Sequence, residues 1–234
     1  MASKAEATFG ARVNNAEKLV TYLESFPAYN PQNAELSIVN LKSLILDIKA
    51  KNDITAGNAQ VYGAAVEVRQ KLFYKDPDSI KNMMTPLLAA ARATFGKNSK
   101  DTAMIKALVV NIRGIKVKKS KKDPTEDSVS QSAMSFGSIT QNFADIISTL
   151  EKYGTEYAPA NDAIKIQTMK DKLPLLTQVN ENVTAAYGKL KEVRDDRVAL
   201  YQILSDLSQR VKDAVKSQYN MKSSEYVLVK GLKI

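Results

Sequence analysis

The chain contains the stretch FGSITQNFADIISTL at residues 136–150, which indicates most directly what kind of fold it adopts. Apolar residues recur in this stretch at spacings of three and four: Ile139, Phe143, Ile146, Ile147 and Leu150. This spacing places them on one face of an α-helix. Residues 4–26 show the same period, so first helices are predicted at about 4–26 and 134–153. Pro27 and Gly154 are expected to end them.

The same stretch aligns with the start of the chain, which predicts an internal duplication. Phe136-Gly137 aligns with Phe9-Gly10, and the offset between matching residues stays between 124 and 128 along the whole chain. Longer signatures recur in the same order: Tyr29-x-Pro31-x-Asn33 with Tyr157-x-Pro159-x-Asn161, and Arg69-x-x-Leu72-Phe73 with Arg197-x-x-Leu200-Tyr201. Helical periodicity does not require these signatures to recur. We therefore interpret their recurrence as a sign that the chain contains two copies of one unit.

The predicted fold class is therefore all-α, with two tandem, internally duplicated helical-bundle repeats built from long amphipathic helices. Repeat 1 covers residues 1–112, a basic and polar linker covers 113–132, and repeat 2 covers 133–234. Each repeat has enough amphipathic helix to close a bundle core. The alternatives are two bundles in tandem or one interlocked bundle, and duplication is compatible with a pseudo-two-fold relation between the halves.

A second helix is predicted to start near Gln32 or Ala160. In the first repeat its apolar positions include the following residues: Leu36, Val39, Leu44, Ile45, Ile48, Ile54, Ala59, Tyr62, Val66, Leu72 and Phe73. Two outcomes are open, a single helix of about 40 residues, or roughly 60 Å, and a hairpin that turns near Asn52 or Asn180. The lack of a strong turn signal favours the long helix, although Pro174 predicts a kink or a break.

Third and fourth helices complete each repeat. The third is predicted at 79–95 and at about 204–219. Ser99 and Ser223 are typical N-caps for a short last helix. In the second repeat this last segment, residues 226–232, is rich in β-branched residues and is also compatible with an extended conformation.

These repeated signatures resemble a group of duplicated all-helical proteins that we associate with Bacteroidetes-type bacteria. The resemblance covers nearly the whole chain, although the motifs that carry it are short. It implies a bacterial, soluble, helical protein. The group has no assigned activity, so the resemblance implies no catalytic residue.

Composition excludes several kinds of chemistry. The 234 residues include no His, no Cys and no Trp, so a thiol nucleophile, a disulfide, a His-containing catalytic triad and a zinc site with the usual ligands are excluded. Asp195 and Asp196 are adjacent and face different ways on a helix, which makes them a poor carboxylate pair. No phosphate-binding glycine motif occurs. We therefore predict no enzyme activity, no cofactor, no metal site and no small-molecule substrate.

The strongest local feature is a basic run at residues 113–122. The chain carries 34 Lys and Arg against 25 Asp and Glu, a net charge of +9. Six of the cations lie within these ten residues and are the candidate polyanion contacts: Arg113, Lys116, Lys118, Lys119, Lys121 and Lys122. Such a cluster attracts phosphate backbones. It is more typical of a solvated linker extended by self-repulsion, and it contains no aromatic residue for base stacking.

Arg69 and Arg197 are the other repeated polar residues. They lie beside the acids Glu67 and Asp195-Asp196, so a structural ion pair is expected, with an anion clamp as the alternative. Four tyrosines in turns or on apolar stripes are expected to serve packing: Tyr29, Tyr62, Tyr157 and Tyr187.

Localisation and function follow from these features as expectations. The N-terminus lacks the apolar core of a secretory signal, and no long uncharged apolar run predicts a membrane span, so we expect a cytoplasmic protein. The favoured function is a non-enzymatic structural or interaction protein that binds itself or another protein. The alternative is a basic module for nucleic acid or another polyanion.

Overall fold

A computed structural model describes residues 8–114 and 135–234, and these residues are all-α. Seven α-helices are present in these two ranges, and no strand occurs in them. The helices are α1 (Phe9–Ser25), α2 (Ile38–Gln70), α3 (Ile80–Phe95), α4 (Lys100–Arg113), α5 (Phe136–Glu151), α6 (Ile166–Tyr219) and α7 (Ser224–Lys230). Short 3-10 turns precede α2 and α6, and a π-helical turn at Lys71–Lys75 follows α2.

The chain divides into two compact units, each with its own apolar core. Unit 1 consists of residues 1–61 and 188–234. Helix α1, the first part of α2, the last part of α6 and α7 line its core. The residues at its centre are almost completely buried: Leu19, Leu23, Ile48, Tyr201, Leu204, Val211 and Val229.

Unit 2 is one continuous segment, residues 62–187. Its core lies among α3, α4, α5, the first part of α6 and the π-helical turn. The residues at its centre are equally buried: Phe73, Ile80, Leu87, Ile105, Phe143, Ile146 and Leu176. Burial of this many aliphatic and aromatic side chains is the main term that stabilises such a bundle.

Neither compact unit coincides with a predicted repeat. Unit 1 takes its helices from both sides of the predicted linker at 113–132, and so does unit 2. A picture of tandem bundles, in which each repeat closes its own core, therefore does not describe these units. The division of the sequence into repeats 1–112 and 133–234 stays a prediction.

The second helices are long and unbroken, without a hairpin at Asn52 or Asn180. Helix α2 has 33 residues and α6 has 54. Helix α6 continues through Pro174 and through the place where a separate helix was predicted at 204–219, so that boundary was wrong. In the first half of the chain, the π-helical turn at Lys71–Lys75 and the residues up to the N-cap Ser79 separate α2 from α3 instead.

The predicted helix starts at Gln32 and Ala160 lie about six residues too early. Asn33 and Asn161 each accept a hydrogen bond from the backbone two residues later and cap a 3-10 turn first. The α-helices then begin at Ile38 and Ile166. The predicted caps Ser99 and Ser223 are confirmed, since each accepts a bond from the third following amide at 3.1 Å.

Candidate interaction surface

Only one cation of the predicted polyanion site lies in the part of the chain that the structure describes. Arg113 is the last residue of α4, where its charge is favourable for the helix dipole. Its guanidinium donates a hydrogen bond to the Thr85 hydroxyl of α3. The other five residues lie outside the described ranges: Lys116, Lys118, Lys119, Lys121 and Lys122.

The two repeated arginines bind aromatic rings instead of the neighbouring acids. In unit 2 the Arg69 guanidinium lies 3.8 Å from the ring centre of Phe136, and in unit 1 that of Arg197 lies 4.2 Å from the ring centre of Phe9. Their Nε atoms are buried and have no hydrogen-bond partner. Neither arginine forms an ion pair in residues 8–114 and 135–234. The expected ion pairs are thus replaced by cation–π contacts, which stabilise packing.

Two of the acids beside these arginines pair with lysines. Glu67 pairs with Lys71 one helical turn later at 3.3 Å, and Asp196 pairs with Lys51 at 3.1 Å. All four side chains are at least a quarter exposed. Such exposed pairs contribute little to stability.

Tyr29 and Tyr157 close equivalent turns in the two units. Each hydroxyl donates to the carbonyl seven residues later, on Leu36 at 2.8 Å and on Ile164 at 3.2 Å. Burial raises the pKa of Tyr157 to about 12, and burial followed by the charge of Tyr219 does the same for Tyr29. These tyrosines are therefore neutral hydrogen-bond donors with a structural role.

Other surface features offer little for catalysis or ligand binding. A hollow of about 430 Å³ in unit 2 is lined by α5 and α6, including Thr140 and Asn180. A second of about 570 Å³ lies in unit 1 beside Asn33 and Arg210. Both are open to solvent. Within the described residues no three potential metal ligands cluster, and no helix there has the length and apolarity to cross a membrane.

The most unusual surface is one side of α2 within unit 1. Four large apolar side chains there are 48% to 75% exposed: Val39, Leu46, Ile54 and Val61. Three small exposed residues lie between them: Ser43, Ala50 and Gly57. Each residue turns the helix by 100° about its axis, so all seven residues point within about 40° of the direction in which Ala50 points. We call these seven residues the outer face of α2.

The corresponding side of α6 is mostly polar and carries no large aliphatic residue at the aligned positions. The predicted repeat aligns α2 with α6 at an offset of 128 residues. The large apolar residues of the outer face then align in order with four others: Gln167, Pro174, Asn182 and Lys189. These residues are also exposed, and Gln178, which aligns with Ala50, is exposed as well. The apolar outer face is therefore a property of α2 and is not required by a helix at this position.

This surface could not be recognised from the sequence alone, where Val39 and Ile54 fall within the apolar stripe predicted to be buried. Helix α2 carries apolar residues on two faces, and only the face with Leu41, Ile45 and Ile48 is buried. A hydrophobic period alone cannot separate two such faces. The signal that would have separated them is the comparison with α6, in which the buried positions stay apolar and the outer ones become polar.

Comparisons with known proteins add no relative. Searches of protein-family models, of curated proteins and of solved structures each found no match to this chain.

Proposed function

We propose that this protein is a non-enzymatic helical structural or interaction protein that associates with copies of itself through the outer face of α2. One observation carries the proposal, the row of exposed large apolar residues at Val39, Leu46, Ile54 and Val61. Contiguous apolar surface of this kind is typical of protein interaction sites. Complete burial of a fully exposed side chain of this size contributes about 1.5–3 kcal/mol, and burial of the exposed part of these four contributes a corresponding fraction.

The composition supports a role without catalysis. The chain has no His and no Cys, and Glu67 and Asp196, beside Arg69 and Arg197, pair with lysines. The arginines themselves are held on aromatic rings. The protein then acts through its surface, and we place it in the cytoplasm of a bacterium.

We also propose that the chain arose by internal duplication. Contacts that recur at aligned positions support this. Glu24 pairs with Lys42 as Glu151 pairs with Lys170. The Phe26 and Tyr219 rings meet in unit 1 as the aligned Tyr153 and Phe95 rings meet in unit 2. Gly96 and Asn220, which align at the ends of α3 and α6, both have positive φ.

Size-exclusion chromatography with light scattering tests self-association. We expect the unmodified protein to move from monomer to dimer between about 1 and 100 µM, and L46E to raise the dissociation constant at least tenfold, since a charge then enters an apolar contact. The matched control is L175E on α6, where Leu175 is also about half exposed, at 53%. Its dissociation constant should not change. A monomer at every concentration, or equal effects of the two variants, would contradict the proposal.

A second candidate function is polyanion binding through the basic run, favoured by the net charge of +9 and the six cations in residues 113–122. Gel-shift titration of the full chain with duplex DNA at several salt concentrations tests it. We expect the log–log slope to approach −0.9 for each phosphate contact. Replacement of Lys118, Lys119, Lys121 and Lys122 by Ala should remove binding. Equal binding by this variant, or no binding at low salt, would overturn this candidate.

A further inference from the structure

The outer face of α2 has an internal symmetry about Ala50. Val39 and Val61 lie eleven residues on either side of it, and Leu46 and Ile54 lie four residues on either side. Ser43 and Gly57 lie seven residues away in each direction. Residue types of similar size therefore occur at equal distances from the centre, whichever end of the segment is read first.

The polar residues beside this face follow the same symmetry. Asp47 and Asp53 lie three residues from Ala50, and Lys49 and Lys51 lie one residue from it. Asp53 and Lys49 are on one flank of the face, and Asp47 and Lys51 are on the other. Each flank therefore carries one acid and one base.

We propose that two copies of the chain pair through α2 in antiparallel orientation, about a two-fold axis that passes by Ala50. This inference rests on the proposed function and specifies its partner and geometry. In a two-fold interface, if residue i of one copy contacts j of the other, then j contacts i. Here Val39 contacts Val61 of the second copy, Leu46 contacts its Ile54, and Ala50 contacts its Ala50.

The symmetry of the sequence decides between the two orientations. In a parallel pair every residue meets its own counterpart, so any sequence matches itself and no symmetry within the segment is needed. An antiparallel pair requires similar residues at equal distances from one centre. The aligned segment of α6 has no such pattern, since Gln167 and Lys189 occupy its ends and Pro174 and Asn182 lie next to its centre.

The charges are complementary in this arrangement. An antiparallel pair brings each flank against the same flank of the second copy in the reverse direction. Lys49 then meets Asp53 of the second copy, and Asp47 meets its Lys51, each offset by two residues or roughly 3 Å along the axis. Lys49 and Lys51 also pair with Glu17 and Asp196 of their own unit, and an ammonium group has three protons to share.

Gly57 supports a close approach of the two helices. It lies inside α2, where glycine costs about 1 kcal/mol relative to alanine. A Cβ added at this position would meet no atom within 4 Å, so the packing of the chain itself does not require glycine. Because glycine has no side chain, another backbone can approach closely at this position, which is on the outer face. In the proposed pair it lies opposite Ser43.

Single cysteines test the orientation directly, because the chain contains no Cys. The variants are V39C, A50C and V61C, with Q178C on α6 as the control at the aligned position. Under mild oxidation we expect A50C to form a covalent dimer rapidly. V39C alone and V61C alone should not, since residues 39 in the two copies would be roughly 33 Å apart, far beyond the reach of a disulfide. A mixture of V39C and V61C should cross-link.

The outcomes separate the two proposals. If V39C and V61C each cross-link alone, the pair is parallel and this inference is wrong, although self-association through α2 stands. If the unmodified protein dimerises but A50C cross-links no faster than Q178C, the α2 pairing is wrong. If light scattering finds only monomer, the proposed function itself fails.

A second pair of variants checks the close approach. G57L places a large side chain at the contact, whereas G63L places one on the same helix outside the outer face, where an added Cβ also meets no atom within 4 Å. We expect G57L to raise the dissociation constant of the dimer at least tenfold and G63L to leave it within twofold. Equal dissociation constants for the two variants would overturn the placement of Gly57 in the interface.

Discussion

Units 1 and 2 have similar contacts in their cores but different residues on their exposed surfaces. In each unit an arginine covers a phenylalanine ring, a buried aromatic residue lies next to that ring, and a tyrosine hydroxyl closes the turn before the long helix. The outer face of α2, by contrast, carries large apolar residues in unit 1, whereas most of the aligned residues of α6 are polar. The interior contacts are needed for folding. The outer face of α2 is not, which is why we assign it to a partner.

The largest effects should come from the paired aromatic residues at the two cores. Phe73 in unit 2 and Tyr201 in unit 1 are at most 1% exposed, so F73A and Y201A should each lower the free energy of unfolding by about 3–5 kcal/mol. Y201A should cost slightly more, because the Tyr201 hydroxyl also bonds Asn52 and the Phe9 carbonyl. Urea unfolding measures both variants. If one of the two variants lost less than about 1 kcal/mol of its free energy of unfolding, the two cores would not be equivalent.

Alkaline pH should weaken both units through their turn tyrosines. The pKa of Tyr157 is raised to about 12 in the folded chain, against about 10 when unfolded. The contribution of the neutral Tyr157 hydroxyl to the free energy of unfolding is therefore complete below pH 10. It is lost as the pH rises towards 12, because the unfolded state releases the tyrosine proton first. Y157F should remove this part of the pH dependence, and Y29F the corresponding part in unit 1. Thermal melting between pH 8 and 12 measures the change, and unchanged profiles would refute it.

The two arginine–phenylalanine contacts should contribute less to the free energy of unfolding than the core aromatic residues. Their contributions should be similar in the two units. R69M and R197M keep a similar apolar stem but remove the cation, so each should cost about 0.5–2 kcal/mol. R69K and R197K should recover only part of this, because an ammonium group cannot stack as a planar guanidinium does. Guanidinium chloride unfolding of the four variants tests this. A cost in only one unit would show that the two contacts differ in function.

The smallest effects should come from the surface ion pairs between α1 and α2 and between α5 and α6. Double-mutant cycles on Glu24 with Lys42 and on Glu151 with Lys170 should each give a coupling energy of about 0.2–1 kcal/mol, reduced by salt, because all four side chains are about half exposed. Coupling energies above about 2 kcal/mol would contradict this exposed setting.

The fold class was predictable because it depends on local patterns. The period of Ile139, Phe143 and Ile146 predicted α5, and Ser99 and Ser223 were predicted as caps from residue type and position alone. The helix starts at Ile38 and Ile166 were not predictable in the same way. There Asn33 and Asn161 cap a 3-10 turn, and a proline two residues earlier gives a misleading start signal.

The continuity of α6 and the outer face of α2 depend on tertiary contacts. Proline removes one backbone hydrogen bond and disfavours a helix, yet α6 continues through Pro174 with Leu176 and Val179 buried in the core just beyond it. Likewise, the exposure of Val39 and the burial of Ile45 are set by what packs on each side of α2. The residues of the candidate site were visible in the sequence, but their exposure was not.

The division of unit 1 between the two ends of the chain affects the order of events on the ribosome. Unit 2 is contiguous, so all of its residues have been made once synthesis reaches residue 187. The first part of unit 1, up to residue 61, must wait until residues 188–234 have been made, a delay of about 9–35 s at about 5–20 residues per second. Unit 1 therefore closes last. Because the outer face of α2 belongs to unit 1, the proposed pairing between copies has to follow the closing of unit 1.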